Sequence, residues 1–429
     1  MQPSHNPKPG TTPHIIDQHR HHLHHDCAVT HLHRPTNKNL YNINFVVMAE
    51  RIVPDMDTLP ITGLTELLAH LDELDNDATT PIQPKLFDDV ELQLTDANSS
   101  AILPTLLPRL TALLFHLTTQ NPSPLLSLLI KLLAPIPFQR ILPLTTPDAL
   151  LLALQSPLPG ANILALSILQ KAAASTEDVK VLVQLWGALI GEVVSLWVGT
   201  GDVGVAEKAE KVLREWLEMD CEVVIRTPEA VNGVNGFSGG SALARQRSRL
   251  STPGEGIIWR LLFENLDNLT RIIANCTLSL PESITSALPP GSSTRPQNDI
   301  TLSQGRLLRL LPQLVVLNSQ PLITTHSALF ESFGVTSTNL LSWAALEMVD
   351  TGDILMRLMI VDFFETLVSV ARVAQHQGPE KDEVVRQLIG EARGRPWGDE
   401  VRAALVTLPD RTVEEEAEAL REYLKDILN

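Results

Sequence analysis

Histidines are the most conspicuous chemical groups in this 429-residue chain. Nine of the thirteen precede Met48: His19, His21, His22, His24 and His25 crowd ahead of Cys27, and His31 and His33 follow it. A flexible tract of imidazoles can hold a transition-metal ion without fixed geometry. The segment, however, has no apolar periodicity, and its four Lys/Arg and two Asp leave it at +2, against −19 for the rest of a chain with formal charge −17. Residues 1–47 read as a disordered His-rich extension, of the kind produced when translation is assigned from an upstream start codon. No metal site is assigned to them.

The remaining histidines, His70, His116, His326 and His376, are scattered, and no nucleophile-elbow motif accompanies them. The chain has no Walker-type phosphate loop, no Gly-x-Gly-x-x-Gly after a strand, no His-Glu-x-x-His and no Cys-x-x-Cys. Cys27, Cys221 and Cys276 are too few and too far apart for a disulfide framework, which points to a reducing compartment: the cytoplasm, with the nucleus as a second site. The expectation is a protein without catalytic residues or cofactor. One basic run, Arg245-Gln246-Arg247-Ser248-Arg249, offers two chemistries. Its arginines can contact phosphates, or Ser248, with Arg245 three residues before it, can accept a phosphate and change the local charge by nearly two units. A solvated loop is the plainer reading.

Positioning these groups falls to helices. Leucine dominates, aromatics make up 4%, and β-branched residues form no short alternating runs. Val205, Ala209, Val212, Leu213, Trp216 and Leu217 step by three and four, opposite Glu207, Lys208, Glu210, Lys211 and Arg214. The pairs Glu207–Lys211 and Glu210–Arg214 stand at i,i+4. Thr176–Val198 repeats the pattern with Leu182, Leu185, Trp186, Leu189, Ile190, Val193 and Trp197, predicting a helical hairpin across Gly199–Asp202. Neither helix can bury its stripe alone, so hairpins must stack. Helix openings at Gly160-Ala161-Asn162, Gly201-Asp202-Val203 and Gly352-Asp353-Ile354 support a repeat, the first two 41 residues apart.

These features predict an all-α, curved, HEAT/armadillo-like solenoid. Its N-terminal half spans 48–227, a flexible loop 228–256, and its C-terminal half 257–429; residues 288–299 form a second loop. Thr412 and Glu415 fit a capping box opening a terminal capping helix. The tryptophans at 186, 197, 216, 259 and 343 read as packing, whereas Trp397 reads as exposed. The segment Gly352–Ala374 is apolar on all sides and is expected to be buried, with Asp353 and Arg357 paired at i,i+4.

The run Gly352-Asp353-Ile354-Leu355-Met356-Arg357-Leu358 through Leu367 resembles the Asp-x-Leu-x-Arg helix of the proteasome non-ATPase regulatory subunit 5 family, which includes fungal proteins labelled as DNA mismatch repair proteins. The Leu-rich arms Leu307–Leu317 and Leu322–Phe333 and the acidic helical layout are compatible with it. The resemblance implies a non-enzymatic chaperone that assists assembly of the base of the 26S proteasome regulatory particle by gripping the C-terminal domain of an AAA ATPase subunit. The alternatives are a DNA mismatch repair factor and a general helical-repeat scaffold. Strong acidity disfavours direct nucleic-acid binding and favours a basic protein partner. The expected contacts are acids of the second helices, Glu207, Glu210, Asp362 and Glu365, on a molecule that is monomeric when free and does not enter membranes.

Overall fold

A computed structural model describes residues 61–77, 79–116, 120–221, 254–279, 281, 295–374 and 380–428, all within one compact unit bounded at Leu40–Asn429. Among them every regular element is helical, with no strand. The His-rich tract, the basic run with Ser248, and His376 lie outside the described residues.

The chain opens with α1 (Leu64–Asn76), α2 (Pro84–Glu91), α3 (Asp96–His116), α4 (Ser123–Leu133) and the single turn α5 (Phe138–Ile141). It continues with α6 (Pro147–Leu154), α7 (Pro159–Gln170), α8 (Thr176–Trp186), α9 (Ala188–Gly199) and α10 (Val203–Met219). Next come α11 (Ile257–Phe263), α12 (Leu266–Cys276), α13 (Gln297–Leu317), α14 (Gln320–Ile323) and α15 (Ser327–Ser332). The last are α16 (Leu340–Leu346), α17 (Ile354–Val373), α18 (Glu380–Ala392), α19 (Gly398–Thr407) and α20 (Glu414–Leu428).

Helix hairpins α1–α2, α3–α4, α6–α7, α9–α10 and α12–α13 stack so that their second arms pack side by side in the order α2, α4, α7, α10, α13, α17, α19. This second layer is the backbone of the array. The first residues of α2, α4, α7 and α10, at 84, 123, 159 and 203, are 39, 36 and 44 apart, close to the period of about 40–47 of HEAT-type repeats. Each amphipathic helix thereby buries a stripe it could not bury alone, and the leucines, valines and tryptophans of all hairpins merge into one core.

The three similar openings at Gly160, Gly201 and Gly352 all begin second-layer helices. Asp202 and Asp353 cap theirs, accepting from the amides of Val205 and Leu355. Asn162 does something else: its buried amide donates to the carbonyls of Ala153, Leu154 and Ser156, closing the end of α6.

Several expectations are corrected. Thr176–Val198 is two helices, α8 and α9, bent by 99° at Gly187, so Leu185 leaves the apolar stripe and is exposed. A Cβ at residue 187 would stand 2.6 Å from the carbonyl oxygen of Val183, and only glycine permits that approach. The stretch after Leu317 is not one helical arm but the short α14 and α15. Thr412 does not cap α20: its hydroxyl donates back to the carbonyl of Leu408, and the helix begins only after Val413. Trp397 is buried against Phe364, ring centroids 6.1 Å apart. Among the described residues, no single helix is long and apolar enough to cross a membrane.

The joint between α9 and α13 explains how the array stays registered beyond residue 221. A helix C-terminus leaves its last carbonyls unpaired and carries a partial negative charge. Here Arg306 donates to the carbonyls of Trp197 (3.2 Å) and Thr200 (2.7 Å), Arg295 to Gly199 (3.2 Å), and Ser303 to Val198. Four consecutive carbonyls, the last three of α9 and that of its capping Thr200, are satisfied from around the start of α13. Before that joint, the buried carboxylate of Asp220 accepts from the amides of Ile258 (2.6 Å) and Glu255 (3.3 Å), holding the start of α11 to the end of α10. Gly254 also donates to the carbonyl of Cys221, and Gly256 to that of Asp220.

Candidate protein-binding face

The second layer carries all four acids expected to contact a partner, Glu207 and Glu210 on α10 and Asp362 and Glu365 on α17. Salt bridges fix the register of its helices. On α10, Glu210 meets Arg309 of α13 in a two-pronged pair (2.7 to 3.2 Å), and one turn on Arg214 reaches Gln313 (3.4 Å). The Glu210 carboxylate holds the Arg309 guanidinium above its ordinary pKa. On α17, Arg357 pairs with Glu400 (3.3 Å), Glu365 with Arg411 (2.5 Å) and Arg372 with Glu416 (2.5 Å). These bonds run between repeats, in a ladder across the layer.

Two expected helix-internal pairs are therefore replaced. Glu210 bonds Arg309 rather than Arg214, and Arg357 bonds Glu400 while Asp353 caps its own helix. Charges four residues apart gain only a few tenths of a kcal/mol within one helix. A neighbouring helix offers a bidentate geometry that the helix's own surface cannot.

Of the four acids, Glu210 and Glu365 are largely covered and engaged in these bridges, whereas Glu207 and Asp362 stand exposed one turn earlier. The structure thus puts the four on one layer but divides them into two that staple repeats and two that face outward.

Sequence reasoning missed the apolar end of this face. Val203 is 57% exposed, Leu302 43%, Ile354 61%, Leu355 67% and Leu358 58%. The expectation that Gly352–Ala374 is buried all round is corrected for α17, whose first two turns present leucines to solvent. One α-helix buries at most the sides that have neighbours, and among the described residues α17 packs on α13, α18, α19 and α20, which leaves the outer side of its first two turns uncovered.

His70 is buried, its Nε2 accepting from the Gln83 amide (3.2 Å) and its Nδ1 lying 3.4 Å from Glu73, a packing role. Cys276 is fully buried, and burial pushes its thiol up to about 12. A cavity of about 420 Å³ between α11, the end of α13 and α18 is lined by Trp259, Arg260, Gln320, Glu380 and the buried Lys381, and holds neither histidine nor cysteine. Among the described residues no group of three His, Cys, Asp or Glu is placed to hold a metal ion.

Residues 64–217 match the family of the DNA mismatch repair protein HSM3, N terminal domain. The matched segment covers α1 almost to the end of α10, including the first four hairpin second arms, and ends shortly before Asp220. No curated protein matches the chain.

Proposed function

We propose that this chain is a protein-binding chaperone that assists assembly of the 26S proteasome regulatory-particle base by holding an AAA ATPase subunit. The match of residues 64–217 to the HSM3 N terminal domain carries the reading, because the helix at 352–367 resembles, independently, the family that groups fungal proteins of that label with proteasome subunit 5. The two signals lie in different halves of one stacked array. Acidity and an outward face of leucines beside free acids suit a basic protein partner, engaged by surface rather than by chemistry. The chain then acts without cofactor, in the cytoplasm and nucleus, and is monomeric when free.

Affinity purification of the tagged full-length chain from lysate of its native host tests this: base ATPase subunits are expected without the proteolytic core particle. Recovery of no proteasomal ATPase refutes it. The name of the matched family suggests a second reading, a mismatch repair factor. Its test is a gel shift on mismatched duplex DNA at near-physiological salt. We expect no shift, since counterion release needs free cations, and Arg309, Arg357, Arg372 and Arg411 are tied to carboxylates.

A further inference from the structure

The apolar residues at the start of α10, α13 and α17 form one strip. Arg309 opposite Glu210 sets the register of α10 against α13, and seven residues, two turns, before each lie Val203 and Leu302 on the same outward stripe. At residue 305 a Cβ would come 2.6 Å from Met359 Cε, so α17 packs with residues 355 and 356 beside 302. Val203, Leu302, Leu355 and Leu358 thus run across three parallel helices. With neighbouring axes about 8–10 Å apart, the strip is about 16–20 Å long, the length of about 11–13 residues of helix. Along one side, one turn further on, stand exposed Glu207 and Asp362; along the other, the capping Asp202 and Asp353. Arg309, two turns after Leu302 on α13, is already paired with Glu210.

We infer that this strip docks an amphipathic helix of a partner protein, with leucine-type residues on one face and lysine or arginine along its flanks. Apolar area supplies the affinity, and the acids on both sides set the charge and exclude acidic helices. The inference rests on the reading of this chain as protein-binding, but not on the partner being a proteasomal ATPase.

The test uses the full-length protein and a fluorescein-labelled Leu/Lys helix of about fourteen residues, with its Leu/Glu counterpart as control, followed by anisotropy. The Leu/Lys peptide is expected to bind and the Leu/Glu peptide not. The double variants L302D/L358D and E207K/D362K should each weaken binding about tenfold or more. All four positions are exposed, so circular dichroism should match the wild type. Equal binding of the two peptides, or wild-type binding by both double variants, overturns the inference. Recovery of ATPase subunits from lysate reports on the proposed function separately: if the chain recovers them yet binds neither peptide, this inference alone falls.

Discussion

Replacing Arg306 by methionine should cost the fold about 2–3 kcal/mol. Two guanidinium-to-carbonyl bonds are lost, to Trp197 and Thr200, each a charge-assisted bond contributing about 1.5–3 kcal/mol. Against that gross 3–6 kcal/mol, removing the side chain relieves two costs. Burial already pulls the Arg306 pKa down, and its Nη2 is buried without a hydrogen-bond partner. Methionine fills much of the stem's volume, so the loss reports on the capped carbonyls rather than on a cavity. The assay is equilibrium urea unfolding by far-UV circular dichroism, comparing wild type, R306M and R306K. Lysine keeps the charge but not the fork, so R306K should fall between the other two. Hydrogen exchange should rise first at the ends of α9 and α13. If R306M lies within about 0.5 kcal/mol of wild type, the carbonyls of α9 find equivalent partners elsewhere and the account of that joint is wrong.

Further outcomes follow from the same contacts. Asp220→Ala should destabilise by about 1–3 kcal/mol and D220N by less, because the amide oxygen still accepts from Ile258; a loss below about 0.5 kcal/mol for D220A in urea melts would remove the carboxylate's capping role. A double-mutant cycle on Glu210 and Arg309 should give a coupling of about 0.5–1 kcal/mol that shrinks in high salt, since Arg309 is half exposed; zero coupling at low salt would leave the ladder without energetic weight. Burial and the nearby Lys208 lower the Lys171 pKa from 10.5 to about 8. The unfolded chain therefore binds more protons than the folded one between those values, so the destabilisation from Lys171 is full below pH 8 and is relieved as pH rises toward 10.5. The melting-temperature difference between K171M and wild type should narrow over that window, and a difference constant with pH would contradict the shift. Cys276 should resist iodoacetamide in the native protein and react only with unfolding, as mass spectrometry can follow.

What the sequence makes legible is what one helix shows along its own length. The stripe of Val205, Ala209, Val212 and Trp216 defines α10 before any neighbour is known, and all four are buried. Asp202 and Asp353 announce their helix starts because a cap acts on amides two or three residues away. The candidate face is legible only in part. Glu207 and Glu210 look alike in sequence, yet one is outward and the other bonded to a residue 99 positions later. No local pattern separates them. Ile354, Leu355 and Leu358 were expected in a buried helix because composition says how apolar a helix is, not how many of its sides have neighbours. The bend at Gly187 turns on one carbonyl contact, which hydrophobic periodicity running straight through it conceals.

The hydrogen bonds between Cys221 and Gly254, and between Asp220 and Gly256, hold the described chain on either side of residues 222–253 at nearly one point. The separation of the two ends is then set by the stack itself and not by the number of residues between them. Closing a chain segment costs entropy that grows only logarithmically with its length. A short linker, or a foreign domain whose termini lie close together, joined between residues 221 and 254 would meet ends already held side by side, and the register of α10 against α13 should be preserved, giving a way to install a fluorescent reporter in the middle of the protein.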